Sequence, residues 1–83
     1  MSETIAVEAR FEADGTIHPL VFFHQGKRYQ VASLGRQWVQ GDERHFLVMT
    51  PSEQVYELVY HQSEGCWKLQ RQPKDFRPPM RVV

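Results

Sequence analysis

Apolar and polar residues alternate along most of this chain. Residues 4–12, TIAVEARFE, put Ile5, Val7, Ala9 and Phe11 on one side and Ala6, Glu8, Arg10 and Glu12 on the other. Period two with a polar outer face predicts a half-buried strand. Ala, Glu and Arg also favour helix by propensity, but the strict alternation and the Asp14-Gly15 turn signal after it favour the strand. Thr16 to His24 is the return strand. Pro19 within it cannot donate to a ladder and predicts an edge, a bulge or a loop there. Leu20-Val21-Phe22-Phe23 is apolar on both faces.

Gln25-Gly26-Lys27 marks the next turn, and Gly26 to Gln40, GKRYQVASLGRQWVQ, is the stretch on which the chain is organised. Tyr29, Val31 and Ser33 share one face of it, and Arg28, Gln30 and Ala32 the other. Gly35 predicts a bulge, a bend or a close backbone approach, and a bend of this kind curls a small sheet. After the polar residues 40–43, Arg44 to Thr50 reads as a strand apolar on both faces, and Pro51-Ser52-Glu53 as a turn. In Val55 to His61, Tyr56, Leu58 and Tyr60 make one face and Val55, Glu57, Val59 and His61 the other. Ser63-Glu64-Gly65 turns the chain, and Cys66 to Arg71 alternates with Trp67 and Leu69 inward.

Five or six strands at intervals of about 10 residues predict an all-β fold. The expected form is an antiparallel meander, either a curled sheet or a small SH3-like barrel, over residues 1–71. Residues 72–83, QPKDFRPPMRVV, carry three prolines and three basic residues. Proline excludes a regular helix or a central strand there, so an extended basic tail is expected.

Composition adds limits. The 83 residues are 41% hydrophobic and 12% aromatic, enough for a core in one domain. Ten basic residues balance ten acidic ones, which argues against a wholly positive polyelectrolyte-binding surface. Cys66 is the single cysteine, so no internal disulfide forms, unlike most small secreted domains. The N-terminal residues show no secretory leader pattern, and no apolar run approaches the roughly 20 residues that span a bilayer. A cytoplasmic, membrane-free setting is expected.

The set Gly26, Arg28, Tyr29, Val31 and Trp38, then Arg44 and its apolar strand, then Val55-Tyr56-Glu57-Leu58 with Tyr60, then Trp67 and Leu69, resembles a family of small bacterial β domains of unknown function. Members occur alone or at the C-terminal end of Y-family DNA-polymerase-like proteins. The resemblance covers about residues 20–71. It implies no catalytic residues and a possible accessory role near DNA or a repair protein.

Candidate chemistry is sparse. His18, His24, His45 and His61 lack the paired spacings of zinc sites and read as surface or strand-edge imidazoles. Cys66 stands alone, without a recognisable nucleophile motif. Glu57 lies mid-strand and, if covered, needs a partner such as Arg28, Arg36 or Arg44. No cofactor, metal or catalytic set is expected. Arg28, Arg36, Trp38, Arg44, Lys68 and Arg71 are the candidate surface for a partner or for nucleic acid, since basic grooves with stacking aromatics bind single strands. Phe76, Arg77, Met80 and Arg81 are candidate tail contacts. The chain is expected to be a non-enzymatic interaction module, binding an unidentified protein or itself, with nucleic-acid binding as the alternative.

Overall fold

The computed structural model describes residues 3–76. The alternating segments form eight strands: β1 (Glu3–Ile5), β2 (Val7–Phe11), β3 (Ile17–His24), β4 (Lys27–Gln30), β5 (Ser33–Gln40), β6 (Glu43–Met49), β7 (Val55–His61) and β8 (Cys66–Arg71). Every ladder is antiparallel. A large sheet runs β1-β8-β7-β6-β5 and a small one β2-β3-β4. The fold is all-β, as expected, and the two sheets do not close into one barrel.

Strand segments outnumber the predicted ones because two of those segments serve both sheets. Residues 3–11 pair with β8 as β1 and with β3 as β2, changing sheet at Ala6. Residues 27–40 pair with β3 as β4 and with β6 as β5. This second corner falls at Val31-Ala32, whose N–H groups donate to Leu20 O at 2.9 Å and Met49 O at 2.7 Å. Strands that switch sheets make the corners of such packings. The bend expected at Gly35 therefore lies three to four residues earlier. Gly35 itself sits in a bulge, the other form expected there, where the β5–β6 register shifts between Leu34 and Gln37.

Pro19 is accommodated by the fold around it. Glu8 pairs with Val21 but Ala9 with Pro19, so Leu20 is the extra residue of a bulge. The β3–β4 ladder begins only at Val21, so no ladder needs the missing N–H of Pro19. Leu20 is left 48% exposed. The turn after β3 has φ of 52° at Gln25 and 76° at Gly26, the two positive values of a type I′ hairpin turn.

Ile17, Phe22, Phe46, Val48, Tyr56, Leu58, Trp67 and Leu69 form the core between the sheets, with Ile5, Val7, Ala9, Tyr29 and Tyr60 packed against it. These are the inward faces predicted from alternation, except that Phe11 is exposed at the rim, edge-on to Tyr60. Phe22 stacks on Tyr29 at 5.1 Å and meets Tyr56 edge-on at 4.9 Å. Each such aromatic pair adds about 0.5–1.5 kcal/mol beyond area burial. Burial, with the Tyr29 hydroxyl beside it, pushes the Tyr56 phenol up to about 12.

The start of the tail is not extended. Pro73–Phe76 form a 3₁₀ turn, with the Gln72 N–H donating to Asp75 Oδ2 at 2.8 Å and proline suited to the first helical position. Arg77, Met80 and Arg81 lie outside the described residues.

Two outcomes check this core. Leu58→Ala should cost about 2–5 kcal/mol in urea unfolding, whereas Leu20→Ala should stay within about 0.5 kcal/mol; equal costs would contradict the bulge. The fold also favours neutral Tyr56, while an unfolded tyrosine ionises near 10. Stability should therefore fall as pH rises from about 10 through 12, and the Tyr56→Phe variant should show a shallower fall over that window.

Candidate interaction surface

Side chains that alternate away from the core on β5 to β8 build the outer face of the large sheet. The register sets Trp38 opposite His45, His45 opposite Val59, and Val59 opposite Lys68. The Trp38 and His45 rings are parallel within 10°, with centroids 4.9 Å apart. The Arg36 guanidinium lies 5.2 Å from the indole centroid, a cation–π contact.

His45 is 6% exposed and faces a carboxylate from each ring nitrogen. Nδ1 is 2.6 Å from Glu57 Oε2 and Nε2 is 3.0 Å from Glu43 Oε1. Each ring nitrogen of this buried imidazole is thus within hydrogen-bond distance of a carboxylate oxygen. Glu57, 3% exposed, also accepts from Arg71 Nε at 2.5 Å. Arg71 in turn lies 4.3 Å from the Phe76 ring centroid. A continuous chain of contacts thus runs from Arg36 through Trp38, His45, Glu57 and Arg71 to Phe76.

Glu57 is covered, but its partners are not Arg28, Arg36 or Arg44. A bulge in β8 explains the difference. Glu57 pairs with Arg71 while Leu58 pairs with Leu69, so Gln70 is the extra residue. The bulge places Arg71 directly opposite the buried carboxylate. In strict alternation Arg71 would share the inward face of Trp67 and Leu69.

A second feature lies where the two sheets part. β5 ends the large sheet, and no ladder joins its outer edge to β3. Gln40 and Glu43 flank a two-residue turn, which makes them a hydrogen-bonded pair. Bonded pairs alternate along an antiparallel ladder, so the N–H and C=O of Gln37 and Val39 point away from β6. Beside them opens a cleft of about 240 Å³ whose lining includes Thr16, Ile17, Gln37, Val39, Arg44 and Phe46. Val39 is 63% exposed. Arg44 Nη1 spans the gap to donate to Gly15 O at 2.8 Å.

The predicted surface residues therefore divide. Arg36, Trp38, Lys68 and Arg71 share the outer face of the large sheet. Arg44 lies on its inner side at the cleft, and Arg28 lies on the small sheet opposite Phe23. Of the tail contacts, Phe76 is placed, against Arg71. The histidines are not all at the surface. His24, 5% exposed, has Nδ1 3.1 Å from Glu3 Oε2, and His45 is buried as described. Among the described residues no group of three or more His, Cys, Asp or Glu is arranged to hold a metal, and no helix is long and apolar enough to cross a membrane. Burial, then the Glu64 carboxylate 3.5 Å from its sulfur, push the Cys66 thiol up, which lowers the fraction of nucleophilic thiolate.

Comparisons with protein-family models, curated proteins and solved structures return no match. Geometry alone bears on what the surface does.

The buried network carries one stability test. Glu57→Ala leaves His45 and Arg71 without their shared acceptor and should cost about 3 kcal/mol near neutral pH. Glu57→Gln, which keeps an acceptor oxygen, should cost less. Chemical denaturation measures both, and a Glu57→Ala cost inside the ~0.5 kcal/mol scatter of surface changes would show that the network contributes nothing.

Proposed function

We propose that this chain is a non-enzymatic protein-interaction module that holds a partner polypeptide at the open seam between its two sheets. One observation carries the proposal. Among the described residues β5 is an eight-residue strand with a neighbour on one side only, and its other edge lies along a cleft lined by both sheets. Unpaired strand edges are where sheets accept another chain.

Less supports the alternative, a nucleic-acid-binding accessory domain linked to DNA repair. The Trp38 ring is already stacked on His45 and touched by Arg36, so it is a poor free platform for a base. Arg71 is neutralised by Glu57, and Arg28 and Arg44 are on different surfaces from Arg36 and Lys68. Single-strand binding needs a basic groove and free aromatics together.

A photo-reactive side chain at Val39, and as control one at the exposed Arg10 of the small sheet, tests the proposal in extract of the source cells. The expected result is nuclease-resistant, protease-sensitive adducts at Val39 well above those at Arg10. Equal labelling at the two positions, or adducts that nuclease removes, would overturn it.

A further inference from the structure

We infer that the partner enters the seam as an extended strand that pairs with Gln37 and Val39, with apolar residues facing the cleft and acidic residues on the other face beside Arg36. This rests on the reading of the seam as a docking site and specifies what it accepts.

Backbone geometry sets the form of the ligand. The N–H and C=O groups of Gln37 and Val39 present the donor and acceptor spacing of a β ladder to the seam. The bulge between Leu34 and Gln37 limits regular pairing to Gln37–Gln40. A folded surface would have to bring its own strand edge over this short run, whereas a single extended segment fits it.

Side chains set the composition. Ligand residues directly opposite Gln37 and Val39 share their face. They would lie over the buried Ile17 and Phe46 that line the cleft, which favours apolar side chains. Alternate ligand residues turn to the other face, beside Arg36. No lining residue of the cleft is acidic. Among the described residues neither Arg36 nor Arg44 is ion-paired, while Arg10 and Arg71 are. A carboxylate makes a strong, charge-assisted bond to guanidinium, so the ligand residues on that face gain by being acidic at Arg36. A second copy of this chain is disfavoured by the same chemistry, because its own β5 would bring Arg36 to Arg36-bearing surface and no carboxylate within the strand Ser33–Gln40.

The test is an amide-resolved NMR titration of the full chain with capped octapeptides. One probe alternates valine and glutamate, a second alternates valine and lysine, and a third is the valine–glutamate peptide with alternate amides N-methylated in each register. The expected result is that the valine–glutamate peptide shifts the Gln37, Val39 and Arg44 side-chain signals and slows exchange of the Gln37 and Val39 amides. Affinity should drop roughly tenfold or more for the lysine peptide and for the Arg36→Glu variant, and N-methylation in the pairing register should abolish binding. Arg36 is exposed in the bulge, so that variant should fold, and its free amide spectrum verifies this. Arg36→Gln is the second variant and should narrow the preference for the glutamate over the lysine peptide. Equal binding of both peptides, shifts confined to other surfaces, or concentration-dependent shifts at Gln37 and Val39 without peptide would each overturn the inference. The same shifts from oligothymidylate would overturn it and the docking proposal together. Loss of peptide binding with Val39 adducts retained overturns the acidic strand alone.

Discussion

At Ala6 and at Val31-Ala32 the chain passes from one sheet to the other, and backbone hydrogen bonds tie each corner to the sheets it joins. Ala6 O accepts from the Phe23 N–H at 3.0 Å, and the N–H groups of Val31 and Ala32 donate to residues on opposite sheets. These shared strands fix how the two sheets face one another, and everything built around the corners depends on that. Two sheets held by shared strands can enclose Phe22, Leu58 and Leu69 almost completely. A chain this short buries a smaller share of its surface than a larger domain, so a core sealed by covalent continuity at two corners compensates for the lack of disulfides.

The bulges then decide which side chains meet. The extra residue Gln70 rotates Arg71 onto the outer face, where Glu57 accepts from it and from His45. The bulge at Leu34–Gln37 places Arg36 against the Trp38 ring. The bulge at Leu20 leaves the first part of β3 paired with β2 and separated from β5, and that separation is the seam. Corners hold the sheets together, and bulges determine where they stay apart.

Much of this was readable in the sequence, and the remainder fails for a physical reason. Alternation states which side of a strand a residue occupies, so the inward faces of Tyr56-Leu58 and Trp67-Leu69 and the strand nature of residues 4–12 followed directly. The glycine turn signal located the hairpin at Gln25-Gly26. Alternation does not state which strand comes opposite, nor where an extra residue shifts the register. Hence Glu57 was recognised as a carboxylate in need of a partner, but Arg71 was hidden behind a one-residue bulge. Hence, too, the basic residues looked like one group in sequence and fall on three surfaces in space. The seam itself has no sequence signature, because it is the absence of a pairing between two segments that each look like ordinary strands.

The ladder between β1 and β8 joins Glu3 to Leu69 and Ile5 to Trp67, nearly the two ends of the described chain. Every other pairing in the large sheet links neighbours in sequence. Closing so long a loop carries the largest chain-entropy cost in the molecule, and it is recovered only when both ends are present together. A chain emerging from the ribosome cannot make this contact until β8 has been synthesised. The large sheet is therefore completed only when β1 docks on β8, and until then β8 has an exposed edge of its own beside Trp67.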